Sequence, residues 1–130
     1  MTNNRHLALK AAMLPRDTNQ YGTIFGGVLL SYIDQAGAVG ADHVIRSQGW
    51  PAVPLVTVAM NAVEFHEAVF VGDVVSFYTN VVRIGTTSIT IHVIVEADRG
   101  AGSLMLTEAD VTYVAVDLLA GRAPRPLRGV

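Results

Sequence analysis

The second half of the chain contains three runs in which apolar and polar residues alternate. They cover residues 74–81, 89–96 and 107–114, and short turns at 85–87 and 98–102 join them. Alternation with a period of two places successive side chains on opposite faces of a β-strand, and short connections join neighbouring strands in antiparallel order. The sequence therefore predicts an antiparallel meander, and this prediction restricts the possible folds more than any other feature.

One helix is predicted ahead of these strands, over residues 25–46, and a long β-rich run at 53–65 follows it. The apolar stripe of this helix has helical spacing and consists of Leu29, Ile33, Ala36, Gly40 and Val44. Gly37 and Gly40 each cost a helix about 1 kcal/mol relative to alanine, which indicates that another element packs closely against the helix backbone. We predict an α+β fold in which a sheet wraps around one long central helix.

A chain of this length is typical of one domain, so residues 1–130 are taken as a single domain. We expect an entering strand over residues 6–13 and a structured loop over 15–22, where turn-forming residues are dense. The ends are expected to be loose, at residues 1–5 and in a C-terminal tail at 123–130, where prolines interrupt regular structure.

Composition excludes several classes of function. The chain has no cysteine, which rules out a disulfide scaffold, a thiolate metal site and a cysteine nucleophile. The net charge of −2 gives no overall attraction to nucleic acid or to an anionic membrane. Hydrophobic residues make up 51% of the chain and charged residues only 15%, a balance that favours self-association into a homo-oligomer.

No segment has the pattern of a targeting signal or a membrane span. The N-terminus is polar and lacks an uninterrupted apolar stretch. The apolar segment at residues 24–41 is long enough to span a membrane. However, Asp34 near its middle would cost about 2.5–3.5 kcal/mol in a bilayer. We therefore expect a buried helix in a cytoplasmic protein.

Asp34 is the strongest candidate for a catalytic residue. It lies in line with Gly37, Ala38 and Ala41 on the predicted helix and has no basic neighbour in the sequence. Such surroundings desolvate a carboxylate and penalise its charged form, which suits a general base or a nucleophile. The alternative is an exposed acid on the polar edge of the helix.

Two features close to the helix start are further candidates. Gly26 and Gly27 would leave the first helix N–H groups open to a ligand oxygen, as an oxyanion site requires, or would simply form a tight entry into the helix. Asn19, in the preceding loop, could polarise a carbonyl or hold a water molecule, or could complete a local turn.

The remaining polar residues give weaker signals. Arg83 together with the turn at 85–88 could bind a phosphate or form a plain hairpin turn, and the arginines of the C-terminal segment could reach an anion. The histidines are His6, His43, His66 and His92. They have no metal-binding spacing, so we expect them to form no site and no metal to bind. The acid and histidine residues at 64–67 are expected to form a solvated corner.

Taken together, these motifs resemble the hot-dog-fold acyl-CoA thioesterases, and most closely the bacterial YciA-type acyl-CoA hydrolases. The residues that carry the resemblance are Met13-Leu14-Pro15, Asp17-Thr18-Asn19, Gly22, Ile24-Phe25-Gly26-Gly27 and Asp34-x-Ala36-Gly37. The similarity continues at residues 71–75, 85–89, 107–109 and 113–117, and covers nearly the whole chain.

The resemblance implies a curved antiparallel sheet wrapped around the helix, with two chains paired sheet to sheet and such dimers often assembled as trimers of dimers. Asn19 of one subunit would lie near Asp34 of the other. Asp34 would act as a base on water or as a nucleophile, while Gly27 and Gly26 would polarise the thioester carbonyl. The acyl-CoA substrate would contact Phe25, Gly26, Arg83, Gly85, Thr86, Thr87 and Ser88. No cofactor is implied beyond the CoA of the substrate.

So sparse a site suits thioester chemistry, because a thiolate leaves readily without a strong general acid. This chain departs from the family pattern at two places. Glu67 and Ala68 stand where relatives favour a basic residue followed by proline, and residues 59–61 lack the charged pair that many relatives have. Both places lie near the expected subunit interface or CoA edge.

Two other functions compete with hydrolysis. A non-catalytic acyl-CoA-binding or regulatory module would bind the same ligand without releasing a free thiol. A hot-dog dehydratase acting on hydroxyacyl thioesters would need a histidine beside the carboxylate, and residues 17–27 contain none. The dehydratase is therefore placed last.

Overall fold

The computed structural model describes residues 5–129, which form one long helix and six strands. The elements in chain order are β1 (His6–Ala12), α1 (Gly26–Ser47), β2 (Leu55–Phe65), β3 (Val74–Ile84), β4 (Ser88–Asp98), β5 (Ser103–Asp117) and β6 (Ala123–Pro124). The predicted helix, entering strand and three alternating strands are confirmed, and their ends shift by only a few residues.

The five long strands form one antiparallel sheet in the order β1-β3-β4-β5-β2, so β1 and β2 are its two edges. The helix α1 packs against all five of them. Alternate residues of the central strands are fully buried in the core, for example Ile91, Val93 and Val111. The meander of β3, β4 and β5 and the α+β layout are therefore confirmed.

Two glycines allow α1 to lie directly on the sheet. A Cβ atom at Gly37 would collide with the hydroxyl of Tyr113 on β5, and a Cβ atom at Gly40 would collide with Thr79 on β3. The predicted close approach to the helix backbone is thus confirmed. The buried face of the helix consists of Leu29, Ile33, Ala36, Gly37, Gly40, Ala41 and Ile45. Val44, predicted for this face, is half-buried and packs against the core near the end of the helix.

The edge strand β2 is irregular. Its register against β5 shifts between Thr57 and Ala59, and again between Asn61 and Glu64. Ala62 lies in the second of these bulges with φ of 52°, a left-handed conformation that residues with a side chain seldom adopt. Bulges are frequent on edge strands, where they redirect side chains.

The C-terminal segment is held against the sheet over residues 123–129, so the prediction of a loose tail is wrong for these residues. β6 pairs with β5, the amide of Arg125 donates to the Ala115 carbonyl, and the amide of Leu127 donates to the Thr86 carbonyl, both at 2.9 Å. The Leu127 side chain is only 1% exposed. The prolines limit β6 to two residues, but these hydrogen bonds and the burial of one leucine hold the segment against the sheet. The last residue of the chain lies outside the described part.

At the other end, residues 1–4 of the predicted loose segment lie outside the described residues. Arg5 pairs with Glu96 at 2.7 Å and stacks over the ring of Tyr78, so the prediction is wrong for this residue. Across residues 5–129, no helix is long and apolar enough to cross a membrane. The cytoplasmic location stays a prediction.

Candidate active site

Asp34 lies on the third turn of α1, beside the edge strand β2. Its Oδ1 accepts a hydrogen bond from Thr57 Oγ1 at 2.6 Å. Within the described residues the second carboxylate oxygen, Oδ2, has no hydrogen-bond partner. The side chain is half-buried rather than enclosed. The carboxylate is therefore held in one orientation, and one of its oxygens is available for chemistry.

Tyr113 fixes the backbone of Asp34 from the sheet side. Its hydroxyl donates to the Asp34 carbonyl oxygen at 2.6 Å. Tyr113 is 1% exposed, and its burial, followed by the charge and hydrogen bonding of Asp34, raises the pKa of this phenol. Because a raised pKa keeps the hydroxyl protonated, Tyr113 remains a donor throughout the neutral range.

The start of α1 offers unpaired backbone donors. The helix begins at Gly26 with Phe25 as its N-cap, and no side chain caps it. Among the described residues, the structure gives no acceptor to the N–H groups of Gly26 and Gly27. A Cβ atom at Gly27 would meet nothing within 4 Å, whereas one at Gly26 would lie 3.3 Å from the ring of Phe65. A cavity of about 340 Å³ opens beside Gly26, so a ligand oxygen can reach this helix end.

The side chain of Asn19 forms its hydrogen bonds within its own loop. Its Nδ2 donates to Thr23 Oγ1 at 2.8 Å, and its Oδ1 accepts from the amides of Tyr21 and Thr23 at 2.9 and 3.1 Å. These three hydrogen bonds confirm the alternative that Asn19 completes a local turn. An amide nitrogen carries two hydrogens, so one N–H of Asn19 is left to donate to a second partner.

The distance along α1 separates the two halves of the predicted site. Gly27 and Asp34 are seven residues apart on this helix, which corresponds to an axial rise of about 10 Å. A single water molecule cannot bridge a carbonyl bound at the helix N-terminus and the carboxylate of the same chain. The structure therefore does not bring Asp34 and Gly27 into one site within a single chain.

The turn between β3 and β4 is tight and lies beside the C-terminal segment. The amide of Gly85 donates to the Ser88 carbonyl at 2.7 Å. Arg83 is exposed near the end of β3.

A cavity of about 370 Å³ beside the turn is lined by Ile84, Gly85, Thr86, Pro126 and Arg128. Arg128 also lies over the ring of Trp50, with its Cζ 5.2 Å from the ring centroid. Arg128 of the C-terminal segment therefore lies at the turn that was predicted to bind a phosphate. The carbonyl of Thr87 in this turn accepts a hydrogen bond from the amide of Ala115.

Sequence reasoning missed Thr57 and Tyr113. Tyr113 lies in phase with the buried Val111 and Ala109, and this alternation is the signal that could have placed it against the helix. Thr57 gave no such signal, because the bulge between Thr57 and Ala59 breaks the alternation of β2.

The histidines form contacts that their spacing along the chain does not reveal. The rings of His6 and His43 stack with their centroids 3.8 Å apart. His66 and His92 contact the two carboxylate oxygens of Glu108, at 2.7 and 3.1 Å. The spacing along the sequence did not report these contacts, because the sheet places residues distant in sequence side by side. The expectation that the histidines form no site and bind no metal stays a prediction. The corner at 64–67 is exposed, as predicted.

Comparison with known proteins identifies the class to which this fold and site belong. Residues 21–104 match the family model of the thioesterase superfamily. The hexameric thioesterase y2039 from Yersinia pestis is 36% identical, has a TM-score of 0.83, and covers 97% of this chain and 98% of its own. Cj0915, a hexameric hotdog fold thioesterase of Campylobacter jejuni, is 40% identical with a TM-score of 0.78, covering 92% and 88%. The chain belongs to the thioesterase superfamily and has the hot-dog fold.

More specific similarity comes from relatives matched over most of their length. The acyl-CoA thioester hydrolase YciA of Salmonella typhimurium is 38% identical over 128 residues, which are 95% of this chain and 92% of that protein. An uncharacterised acyl-CoA thioester hydrolase of Buchnera aphidicola is 39% identical over 116 residues, 85% of this chain and 82% of that protein. These similarities confirm the resemblance to YciA-type hydrolases and confirm that the chain is an enzyme.

Proposed function

We propose that this chain hydrolyses acyl-CoA thioesters at a site built by two copies of itself. The observation that carries the proposal is the Asp34 carboxylate, which Thr57 holds through Oδ1 while Oδ2 is left without a partner in the described chain. A carboxylate that is fixed and accessible suits proton abstraction from water, and it lies on the helix of a thioesterase-superfamily fold.

The need for two copies follows from the separation of Asp34 and Gly27 on the same helix, about 10 Å along its axis. β2 is an edge of the sheet, and Asp34 lies beside it. A second copy paired along this edge would bring its helix N-terminus and its Asn19 to the Asp34 carboxylate of the first. The hexameric state of the Yersinia and Campylobacter thioesterases supports further assembly into a trimer of such dimers.

In the proposed reaction, Oδ2 of Asp34 takes a proton from water while the water oxygen attacks the thioester carbonyl carbon. The carbonyl oxygen becomes an oxyanion that the N–H groups of Gly26 and Gly27 stabilise, and the spare N–H of Asn19 holds the water or the carbonyl. Collapse of the intermediate breaks the carbon–sulfur bond, which gives the free carboxylic acid and CoA thiolate, and the proton on Asp34 passes to the thiolate to restore the carboxylate. In the alternative route Oδ2 itself attacks the carbonyl carbon and the carbon–sulfur bond breaks, which gives CoA thiolate and a mixed anhydride with Asp34. Attack of labelled water on the Asp34 carbonyl of this anhydride would place ¹⁸O in Asp34 in a single turnover, whereas attack on the acyl carbonyl would place it in the product acid.

The CoA portion of the substrate is proposed to bind at the turn between β3 and β4. Arg128 lines the cavity at Gly85 and Thr86, and Arg83 is exposed close by. Guanidinium groups and a tight glycine turn suit the phosphates of CoA. The hydrolysis as proposed uses water and protein groups alone, so it needs no further cofactor.

The test is thiol release from a series of acyl-CoA thioesters, followed with a thiol-reactive dye. Asp34→Asn is expected to stay folded and to lose activity by at least about 100-fold, because it removes the proton acceptor. Asp42→Asn is the matched control, since Asp42 lies on the same helix and pairs only with Arg46 among the described residues. Full activity of Asp34→Asn would refute the site. Tight acyl-CoA binding without thiol release by the wild-type chain would establish the non-catalytic alternative.

A further inference from the structure

Three side chains with metal-binding atoms meet where the end of β2 pairs with β5. Glu64 lies at the end of β2, His66 follows it, and Glu108 lies on β5 between two residues buried in the core. His66 Nε2 lies 2.7 Å from Glu108 Oε2 and 3.7 Å from Glu64 Oε2, and the three atoms lie within 4.8 Å of one another. Ligand atoms around a tetrahedral zinc ion are about 3.3 Å apart, so small side-chain rotations bring this group to that spacing.

The bulge in β2 is what places Glu64 in this group. Asn61 pairs with Asp110 and Glu64 pairs with Glu108, so β2 advances three residues where β5 advances two. In a regular antiparallel pair, Val63 would stand opposite Glu108 instead. The extra residue therefore exchanges an apolar neighbour of Glu108 for a carboxylate.

Glu108 is itself oriented by a second set of contacts. Its Oε1 lies 3.1 Å from His92 Nε2, and His92 Nδ1 lies 2.6 Å from Asp110 Oδ1. Carboxylates that bind metals are commonly held in this way by outer hydrogen bonds, which fix the ligand and tune its basicity. These contacts use Oε1 and leave Oε2 facing His66 and Glu64.

The group also has an excess of negative charge. Among the ion pairs between residues 5–129, none joins Glu64, Glu108 or Asp110 to a lysine or an arginine. The side chains of Glu64 and His66 are 64% and 35% exposed, so a cation in solution can reach them. A bound divalent ion would neutralise this charge.

We propose that Glu64, His66 and Glu108 bind a divalent transition metal of the Zn²⁺ type, with water in the fourth position. An imidazole nitrogen combined with carboxylate oxygens suits Zn²⁺, whereas Mg²⁺ and Ca²⁺ take oxygen ligands. The metal fastens the end of β2 to β5. Phe65 lies between two of the ligands in sequence and packs against Gly26, so the metal also fixes a ring beside the helix N-terminus. None of the three ligands is assigned a step in the proposed hydrolysis, so metal binding can be tested whether or not the chain hydrolyses acyl-CoA.

The test is calorimetric titration of the tag-free full chain with Zn²⁺ and, separately, with Mg²⁺. Wild type is expected to bind one Zn²⁺ per chain and to show a higher Tm when Zn²⁺ is present. His66→Gln and Glu64→Gln, at exposed positions, are each expected to bind at least tenfold more weakly, and His92→Gln about 10- to 100-fold more weakly through loss of the outer contact. His43→Gln is the matched control, because the stacked His6–His43 pair is the other histidine pair in the described chain, and it should bind as wild type does.

The proposal is overturned if wild type binds no Zn²⁺, or if His66→Gln and Glu64→Gln bind Zn²⁺ as tightly as wild type. Loss of binding in His43→Gln alone would assign the metal to the stacked pair and would equally refute the proposal. Equal affinity for Mg²⁺ would refute the role of the His66 nitrogen. Circular dichroism of each variant checks the fold, and Glu64→Gln decides the matter if His66→Gln is unfolded, since its side chain is the most exposed of the three.

Discussion

Thr57 Oγ1 donates a hydrogen bond to Asp34 Oδ1 across 2.6 Å, and this contact joins the edge strand β2 to the helix α1. The hydroxyl fixes one carboxylate oxygen, and the other accepts no hydrogen bond from the described residues. Because Thr57 stands on the strand along which a second chain is proposed to pair, dimerisation and orientation of the carboxylate are expected to depend on the same strand.

Replacing Thr57 by valine keeps the shape of the side chain and removes this hydrogen bond. A hydrogen bond to a charged group is worth about 1.5–3 kcal/mol, so kcat for acyl-CoA hydrolysis is expected to fall about tenfold or more, with KM little changed. Thr57→Ser, which retains the hydroxyl, should recover most of the rate. Steady-state thiol release measures both constants, and a wild-type kcat in Thr57→Val would contradict the orienting role.

Gly37→Ala is expected to lower the free energy of unfolding by about 3 kcal/mol, because its Cβ would collide with the Tyr113 hydroxyl. Gly27→Ala is the matched control, since its Cβ would meet nothing within 4 Å, and its stability should be unchanged or slightly higher. Urea denaturation measures each variant.

The same collision can be tested by removing its partner. In a Tyr113→Phe background the nearest ring atoms to the Gly37 Cβ would lie at 3.1–3.2 Å, so Gly37→Ala should cost less there than in wild type. Equal costs in the two backgrounds would show that the hydroxyl is not the obstacle.

Acid is expected to destabilise the fold partly through His6. Burial, and then the stacked His43, lower the pKa of His6 below its ordinary value of 6.5. As the pH falls through 6.5, the unfolded chain takes up a proton at this residue before the folded chain does, so the stability that His6 contributes is complete above that pH and is lost below it.

His6→Gln should therefore lose less free energy of unfolding than wild type between about pH 7.5 and about pH 5.5. Urea denaturation at each pH measures the difference. Parallel curves for wild type and His6→Gln would show that another group is responsible.

Arg128→Ala is expected to raise KM for acyl-CoA about tenfold without changing kcat, because a charge-assisted contact to a phosphate is lost far from the thioester. The difference from wild type should shrink as the salt concentration rises. Arg46→Ala is the control, since Arg46 is an exposed arginine paired with Asp42 on α1. An equal KM for Arg128→Ala and wild type would remove Arg128 from the CoA site.

The fold was largely predictable because its signals are local. The alternation of apolar and polar residues predicts β3, β4 and β5. The small residues Gly37 and Gly40 indicate a helix in close contact with the sheet. The C-terminal segment was not predictable in this way. Its attachment rests on one buried side chain, Leu127, and on hydrogen bonds to residues distant in sequence, which no local pattern reports.

The residues of the candidate site also differ in whether a local sequence pattern could predict them. Asp34 and the glycines at the start of α1 could be singled out as candidates because their residue types are unusual for a helix. Thr57 was missed because its contact with Asp34 depends on a bulge, and the grouping of His66 with Glu108 depends on the register between β2 and β5. Register is a property of paired strands, so a single sequence contains little record of it.

The close contacts of Gly37 with Tyr113 and of Gly40 with Thr79 also restrict how this enzyme can adapt. They lie one helical turn apart and touch two different strands, so α1 can neither slide along the sheet nor roll across it without a collision. Asp34 precedes the first of these contacts by one turn and moves only with the sheet. In the proposed two-chain site, acyl groups of different length would then be accommodated by the loops and by the neighbouring chain, while the position of the carboxylate stays constant.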